Sequence, residues 1–380
     1  MIKFFVTGDN HIGRKYDRYP DVKDQLIKSR FECIEEMVNI AESEACDFFV
    51  VTGDLFDSTN TIRFEDVKRV VEILSHFNER VLVLPGNHDY YSGEDKVWNY
   101  FEKALDNCSH NITLLNEYRE FFFDDVKGEE VVIYPAFCDS KHSEENKLGW
   151  IKNADMKRDV INIGIAHGAI KGVTPDLKEE YFLMTEKELE NIPVDVWFIG
   201  HTHIPYPNNL SETKYTEGYK VFNAGTHEQT DLHNNTEGIC FIVGVEKKNE
   251  KTKVYAKRVN SGKVHFYDLK IDVKPESESA LYNVLEKEVE KIPDHSVIRV
   301  TITGTIKQVE YDNKSKVYEN VLERFLTFEI NDDDLSEEIT VDKIRSEFAE
   351  TSFAAQLMEA LISDHTELQM VYRLIQECRE

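Results

Sequence analysis

Residues 48–57 read Phe48-Phe49-Val50-Val51-Thr52-Gly53-Asp54-Leu55-Phe56-Asp57, four apolar residues that run into a Gly-Asp turn with a second carboxylate three positions on. A run this short, aromatic and β-branched fits a buried strand better than a helix. The construction recurs four times. Ile2 to Thr7 leads to Gly8-Asp9-Asn10-His11, and Val81 to Pro85 leads to Gly86-Asn87-His88-Asp89. Ile161 to Ile165 leads to Ala166-His167-Gly168, and Val196 to Ile199 leads to Gly200-His201-Thr202-His203. One strand-end histidine is more often structural than a ligand, but five polar strand ends in succession form a donor set.

The donor types point to paired metal ions. Asp9 and His11 stand two residues apart at one strand end, so both can reach one ion, and Asp54 can bridge two ions with its two oxygens. Asn87 offers an amide oxygen, and His167, His201 and His203 offer imidazoles. Gly8, Gly53 and Gly86 let the backbone turn sharply and keep Cβ bulk away from the ions. Oxygen and nitrogen donors without thiolate suit manganese, iron or zinc more than magnesium or calcium. Two ions about 3.5–4 Å apart acidify a water and neutralise charge on a transferring phosphoryl group.

Around these turns lie amphipathic stretches, as a layered α/β domain requires. Gln25 to Ser43 places Leu26, Phe31, Ile34, Met37, Val38 and Ala41 at near-helical spacing, and Phe64 to Phe77 does so with Val67, Val70, Val71 and Leu74. The Trp98, Phe101 and Leu105 stripe packs on the core or meets a second subunit. Further strands are expected near 239–245, 253–259, 266–273 and 297–305, with a helix over 277–292. Asn331-Asp332-Asp333-Asp334 reads as an acidic linker, followed by two helices over 341–363 and 366–378. Those helices are apolar enough to dock on the chain's own domains or on a partner.

A formal net charge of −27 argues against a protein that coats nucleic acid through a basic surface, though not against a metal-dependent nuclease. Lys141, Lys147, Lys152, Lys171 and Lys178 line a DNA path or simply a solvated surface. The six scattered cysteines suggest neither a zinc ribbon nor a disulfide framework. The apolar opening run is too short for a signal peptide's core, and no run is long enough for a membrane span, so a cytoplasmic protein is expected. His227 and His233, in the loop after Thr226, are substrate contacts or exposed loop histidines.

The ordered set D-x-H, G-D-x-x-D, G-N-H-D, A-H-G and G-H-T-H resembles the calcineurin-like metallophosphoesterase superfamily over about the first 245 residues. The resemblance implies a two-sheet α/β/β/α sandwich with its ligands on loops at one edge. One ion would take Asp9, His11 and His203, the other Asn87, His167 and His201, with Asp54 between them and His88 protonating the leaving oxygen. Within the superfamily the chain resembles the SbcD/Mre branch of DNA repair nucleases. Gly53-Asp54-Leu55-Phe56-Asp57 matches the bacterial form, whereas the archaeal and eukaryotic branch carries histidine at the position of Asp57, so no role of that histidine transfers. Val221 to Thr226 with Glu237-Gly238-Ile239 is similar to the loop and strand that end the SbcD catalytic domain, with Ala224 and Thr226 departing from it.

This likeness implies a nuclease domain over 1–265, a small α+β cap that meets DNA over 266–334, and a helical tail over 335–380 that binds an SbcC/Rad-type coiled-coil ATPase. It further implies a manganese-dependent exonuclease and endonuclease of DNA repair and recombination, dimeric through the 64–77 and 97–105 helices. The alternative is a phosphatase or cyclic-nucleotide phosphodiesterase acting on a small molecule or protein. A scaffold with a vestigial site is opposed by the complete donor set.

Overall fold

A computed structural model describes residues 1–174, 178–233 and 236–378. The chain forms two compact units, Met1–Phe266 and a second from Tyr267 onward.

In the first unit the strands are β1 (Ile2–Thr7), β2 (Phe48–Val51), β3 (Arg80–Val83), β4 (Ile112–Leu114), β5 (Phe121–Val126), β6 (Glu129–Ala136), β7 (Ile161–His167), β8 (Val196–Gly200), β9 (Thr216–Glu217), β10 (Val221–Phe222), β11 (Ile239–Lys248) and β12 (Lys251–Asn260). One sheet runs β4-β3-β2-β1-β11-β12-β9 and the other β10-β8-β7-β6-β5. The helices are α1 (Lys23–Ser43), α2 (Phe64–Leu74), α3 (Lys96–Leu105), α4 (Gly149–Lys152) and α5 (Glu186–Asn191).

Alternation along each strand builds the layers. Phe4, Val6, Phe48, Val50 and Leu82 face Ile133, Ile163, Ile165 and Phe198 in a core between the sheets. Their neighbours Phe5, Phe49, Val81 and Val83 face the other way, onto Phe31, Ile34 and Met37 of α1, Val67 and Val70 of α2, and Trp98 and Phe101 of α3. On the second sheet Val132, Tyr134, Trp197 and Ile199 turn outward to Ile151 of α4 and Leu189 of α5. The result is the expected α/β/β/α sandwich. Trp98 and Phe101 are spent on its core, which settles the choice left open for that stripe.

The parallel registers set the site. Thr7 lies opposite Val51, and Val51 opposite Val83, so β1, β2 and β3 end at one level. Ala166 and His167 pair with Ile199 and Gly200, so β7 and β8 also end together. Turns leaving the carboxyl ends of adjacent parallel strands converge, and all five donor segments leave from such ends. His167 is itself the last residue of β7 rather than part of the following turn.

In the second unit β13 (His265–Val273), β14 (Ser296–Ile306) and β15 (Thr327–Glu337) form a sheet with β14 in the middle. It is covered by α6 (Ala280–Val289), with α7 (Gln308–Tyr311) and α8 (Lys314–Leu322) following β14. Asn331 to Asp334, expected as a linker, lies inside β15, where a bulge opposite Thr301 to Thr303 absorbs one extra residue. An edge strand tolerates such charge because half its side chains point to solvent. Tyr318 and Lys314 also bind the Asp332 carboxylate, each at 2.8 Å.

The tail holds three helices, α9 (Val341–Glu347), α10 (Phe353–Ala360) and α11 (His365–Glu377), where two were expected. Phe348 takes an extended conformation and Ser352 caps α10 through Ala355 N, so the first stretch breaks between them. No helix among the described residues is long and apolar enough to cross a membrane.

The α6 start is capped from a distance. Ser279 makes no cap hydrogen bond, and the buried Glu310 of α7 accepts from Leu281 N at 3.1 Å and Tyr282 N at 3.0 Å. Glu310→Ala leaves two first-turn N–H groups unmatched. A loss of about 1–3 kcal/mol is expected in thermal or urea unfolding.

Candidate metal centre

The structure brings Asp9, His11, Asp54, Asn87, His167, His201 and His203 to one edge of the sandwich, with His88 beside them. His11 Nε2 lies 3.0 Å from His203 Nε2, and Asp9 Oδ1 lies 3.8 Å from that same atom. Asn87 Oδ1 lies 3.0 Å from His167 Nε2 and 2.9 Å from His201 Nδ1. Asp54 Oδ2 stands between the groups, 3.4 Å from His167 Nε2 and 3.9 Å from His11 Nε2. Its Oδ1 accepts His88 N–H at 2.7 Å, so Oδ2 is the oxygen turned toward both groups of donors.

Backbone conformation is exacting here. Asp9, His11, Asp54 and His201 all have positive φ, at 49°, 46°, 51° and 99°. Side-chain-bearing residues avoid that region, and such strain gathers at functional sites. Of the three glycines expected to supply the turns, Gly53 has φ 105°, while Gly86 serves close approach instead. A Cβ on Gly86 would lie 2.2 Å from Asp54 Oδ1 and 2.3 Å from Asp54 N.

Electrostatics shows a deficit of positive charge. Asp9, Asp54 and Asp89 are all buried. Burial pushes the Asp9 carboxyl up to about 8, with His167 opposing and Asp54 adding to the rise. Burial and the Asp54 charge push Asp89 up to about 7. Asp54 is held well below the carboxylate range despite burial, chiefly by His167. Burial disfavours the His167 cation, yet Asp54 outweighs it and pushes this imidazole up to about 9. Burial, with His11, pushes His203 down to about 3, and burial lowers His11 as well. His11 and His203 resist protons while His167 holds one against Asp54, and this pairing of proton-poor imidazoles with crowded carboxylates fits bound cations.

The donor geometry passes the same test. His167 Nδ1 donates to Thr52 O at 2.9 Å, so in the neutral ring Nε2 presents a lone pair to Asn87 Oδ1. Two acceptors that close need a proton or a cation between them. Two donors at right angles on one ion, each about 2.1 Å from it, stand about 3.0 Å apart, the spacing found here.

Several supports went unassigned in the sequence. Asp89 accepts from Phe56 N at 3.0 Å and Gly86 N at 2.6 Å and so ties two donor turns together. Arg30 of α1, fully buried, donates through Nε and Nη2 to Asn10 O, at 3.0 and 2.6 Å, gripping the peptide between Asp9 and His11. A charge on the apolar stripe of α1, between Leu26 and Ile34, was its signal. Thr226 Oγ1 donates to Asp9 O at 3.0 Å, and the Tyr181 ring lies 5.0 Å from that of His201.

His227 is no exposed loop histidine. It is buried, and Nε2 donates to Arg30 O at 3.2 Å. His233 is exposed. Of the five lysines considered for a DNA path, Lys147 pairs with Asp139 at 2.8 Å and Lys171 with Glu179 at 3.2 Å, while Lys141, Lys152 and Lys178 are exposed.

The calcineurin-like phosphoesterase family model matches residues 2–205, and the chain belongs to that family. The members of that family are metallophosphoesterases that use divalent metal ions. Among known proteins it is similar to the uncharacterized metallophosphoesterase YhaO of Bacillus subtilis (strain 168), 27% identical over 210 residues, which are 53% of this chain and 48% of that protein. The chain thus spans about half the length of this relative. Among solved structures it resembles the calcineurin-like phosphoesterase YfkN from Bacillus subtilis (TM-score 0.37, 13% identity, 68% of this chain and 89% of that one). It also resembles a dimetal phosphatase from Danio rerio (TM-score 0.37, 11% identity, 68% and 98%).

Two outcomes are expected. Gly86→Ala should weaken Mn²⁺ binding at least about tenfold in calorimetry, by driving Asp54 out of place, while Gly149→Ala, whose Cβ meets nothing within 4 Å, should leave it unchanged. Burial and the Arg30 charge push His227 well below its ordinary value, so the native state keeps it neutral while the unfolded chain protonates it near pH 6.5. The stability this confers is complete above about pH 6.5 and is lost as pH falls below that, by up to about 1.4 kcal/mol per pH unit. The melting temperature of the wild type should therefore fall more steeply from pH 7 to 5 than that of His227→Gln.

Proposed function

We propose that this chain is the nuclease subunit of an SbcCD-like DNA repair complex, hydrolysing phosphodiester bonds of DNA with two divalent ions, most readily Mn²⁺. Asp9, His11 and His203 would hold one ion and Asn87, His167 and His201 the other, with Asp54 Oδ2 between them. Bound ions supply Lewis acidity toward phosphate oxygens and an acidified water. His88 would supply the proton: Nδ1 faces Asp57 O at 3.3 Å, so the carbonyl keeps one proton there, and the cationic ring would pass its second proton from Nε2 to the departing oxygen and be left neutral. Its ring meets that of His11 edge-on, 4.8 Å between centroids, which sets it beside the first group of donors.

The observation that carries a nucleic-acid substrate is a recess of about 320 Å³ lined by Arg14, Arg18, Tyr16, Tyr19 and His233 together with the carboxylates of Asp17, Asp57 and Asp231. Guanidinium and aromatic rings side by side suit a phosphate and its neighbouring base. Arg14 is also paired with Asp231 at 3.2 Å, which holds its guanidinium at the recess. In the tail Phe353 of α10 is 80% exposed, and Met370 and Leu374, one turn apart on α11, are 65% and 50% exposed, apolar side chains that support docking of an SbcC/Rad-type coiled-coil ATPase. A cytoplasmic homodimer, paired through the outer surface of α2 and α3, completes the proposal.

With Mn²⁺, the chain should release nucleotides from linear duplex DNA, and turnover confined to small phosphoesters would replace the nuclease by a phosphatase. His88→Asn should keep Mn²⁺ affinity in calorimetry yet lower kcat by about 100-fold or more. Truncation after residue 338, just past the end of β15, should spare hydrolysis and abolish co-purification of the ATPase.

A further inference from the structure

The geometry points to Asp57 as the positioning residue that fixes His11 in the ring orientation and tautomer an ion requires. The inference rests on the metal-centre proposal and is indifferent to which phosphoester is cleaved. His11 turns Nε2 toward His203 Nε2, at 3.0 Å, and toward Asp54 Oδ2, at 3.9 Å. Its Nδ1 points the other way, is buried and has no hydrogen-bond partner. The Asp57 carboxylate faces it, with Oδ1 3.4 Å away.

A neutral imidazole that offers its Nε2 lone pair to an ion carries its proton on Nδ1, and a buried N–H needs an acceptor. Asp57 Oδ1 stands a few tenths of an ångström outside hydrogen-bond reach, and its side chain is 30% exposed, so a small rotation closes the bond. A carboxylate there fixes the tautomer and makes the ligating nitrogen more basic.

Backbone register puts the two side by side. Asp9 N donates to Gly53 O at 3.0 Å, His11 N to Asp54 O at 2.9 Å and Ile12 N to Leu55 O at 2.9 Å, and Asp57 N returns to Ile12 O at 2.9 Å. The first two donor turns are thus zipped together up to Asp57. Its duties are divided: the side chain addresses His11, while the backbone carbonyl meets His88 Nδ1. Replacing the side chain therefore leaves the tether of His88 in place.

Asp57→Ala and Asp57→Asn in the full chain test this. Mn²⁺ is titrated by calorimetry without substrate, and hydrolysis of bis(p-nitrophenyl) phosphate is then followed against Mn²⁺ concentration. Asp57→Ala should weaken one of the two Mn²⁺ steps about 10–100-fold, spare the other, and recover most of kcat at saturating Mn²⁺. Asp57→Asn keeps an acceptor oxygen and should fall between Asp57→Ala and the wild type; being isosteric, it also decides the matter if the alanine variant does not fold. Unchanged Mn²⁺ affinity in both variants overturns the inference. Unchanged affinity with kcat lost at saturating Mn²⁺ would do so too, by assigning the side chain to His88. A wild-type chain that binds no Mn²⁺ overturns the metal-centre proposal and this inference with it.

Discussion

Three carboxylates, Asp9, Asp54 and Asp89, lie buried within one layer of turns, and their uncompensated charge is the constraint on which the rest of the centre depends. Buried anions persist only when hydrogen-bonded or neutralised. Asp89 meets that condition through the backbone, accepting from Phe56 and Gly86. Asp9 accepts His201 N–H on both oxygens, at 3.1 and 3.0 Å. Asp54 gives one oxygen to His88 N–H and keeps the other toward the imidazoles. What these bonds leave unmet is positive charge in the space the imidazoles surround, and that is what divalent ions supply.

Holding the donors there strains the chain locally and stiffens it elsewhere. Four donor residues adopt left-handed backbone conformations, unfavourable by about 1–3 kcal/mol each. They are over-determined by tight neighbours: Gly86 against Asp54, Arg30 on Asn10 O, Thr226 on Asp9 O, and the ladder between the first two turns. These supports attach in turn to a sandwich whose two sheets share an aromatic core around Phe4, Phe48 and Phe198. A donor shifted by an ångström would lose its ion, so the rigidity of the strand ends is part of the chemistry.

Local order carried a good deal. Short apolar runs at Phe48–Val51 and Val196–Ile199 announced strands, and the polar residue after each announced a donor, because strand period and turn chemistry act within a few residues. Signals that depend on distant partners did not show. The acidic 331–334 segment read as a linker because its charges gave no hint of the strand they join in β15. Glu310, a lone carboxylate in sequence, caps α6 from about 30 positions away. His227 looked like a loop residue until the chain closed over it.

By itself, the sequence marked a layered α/β domain and the order of the seven candidate donors, since both are written in short-range pattern, and the resemblance of that ordered set supplied the two-sheet sandwich and the calcineurin-like family. Tertiary structure alone decided how the donors are shared: that Asp54 faces both groups through one oxygen, that His88 leans on a backbone carbonyl, and that the carboxylate of Asp57 faces His11. Those are contacts between turns that lie dozens of residues apart. Strand register brings them together, and register is fixed only when a strand's apolar face meets the core and its edge meets a partner distant in the chain.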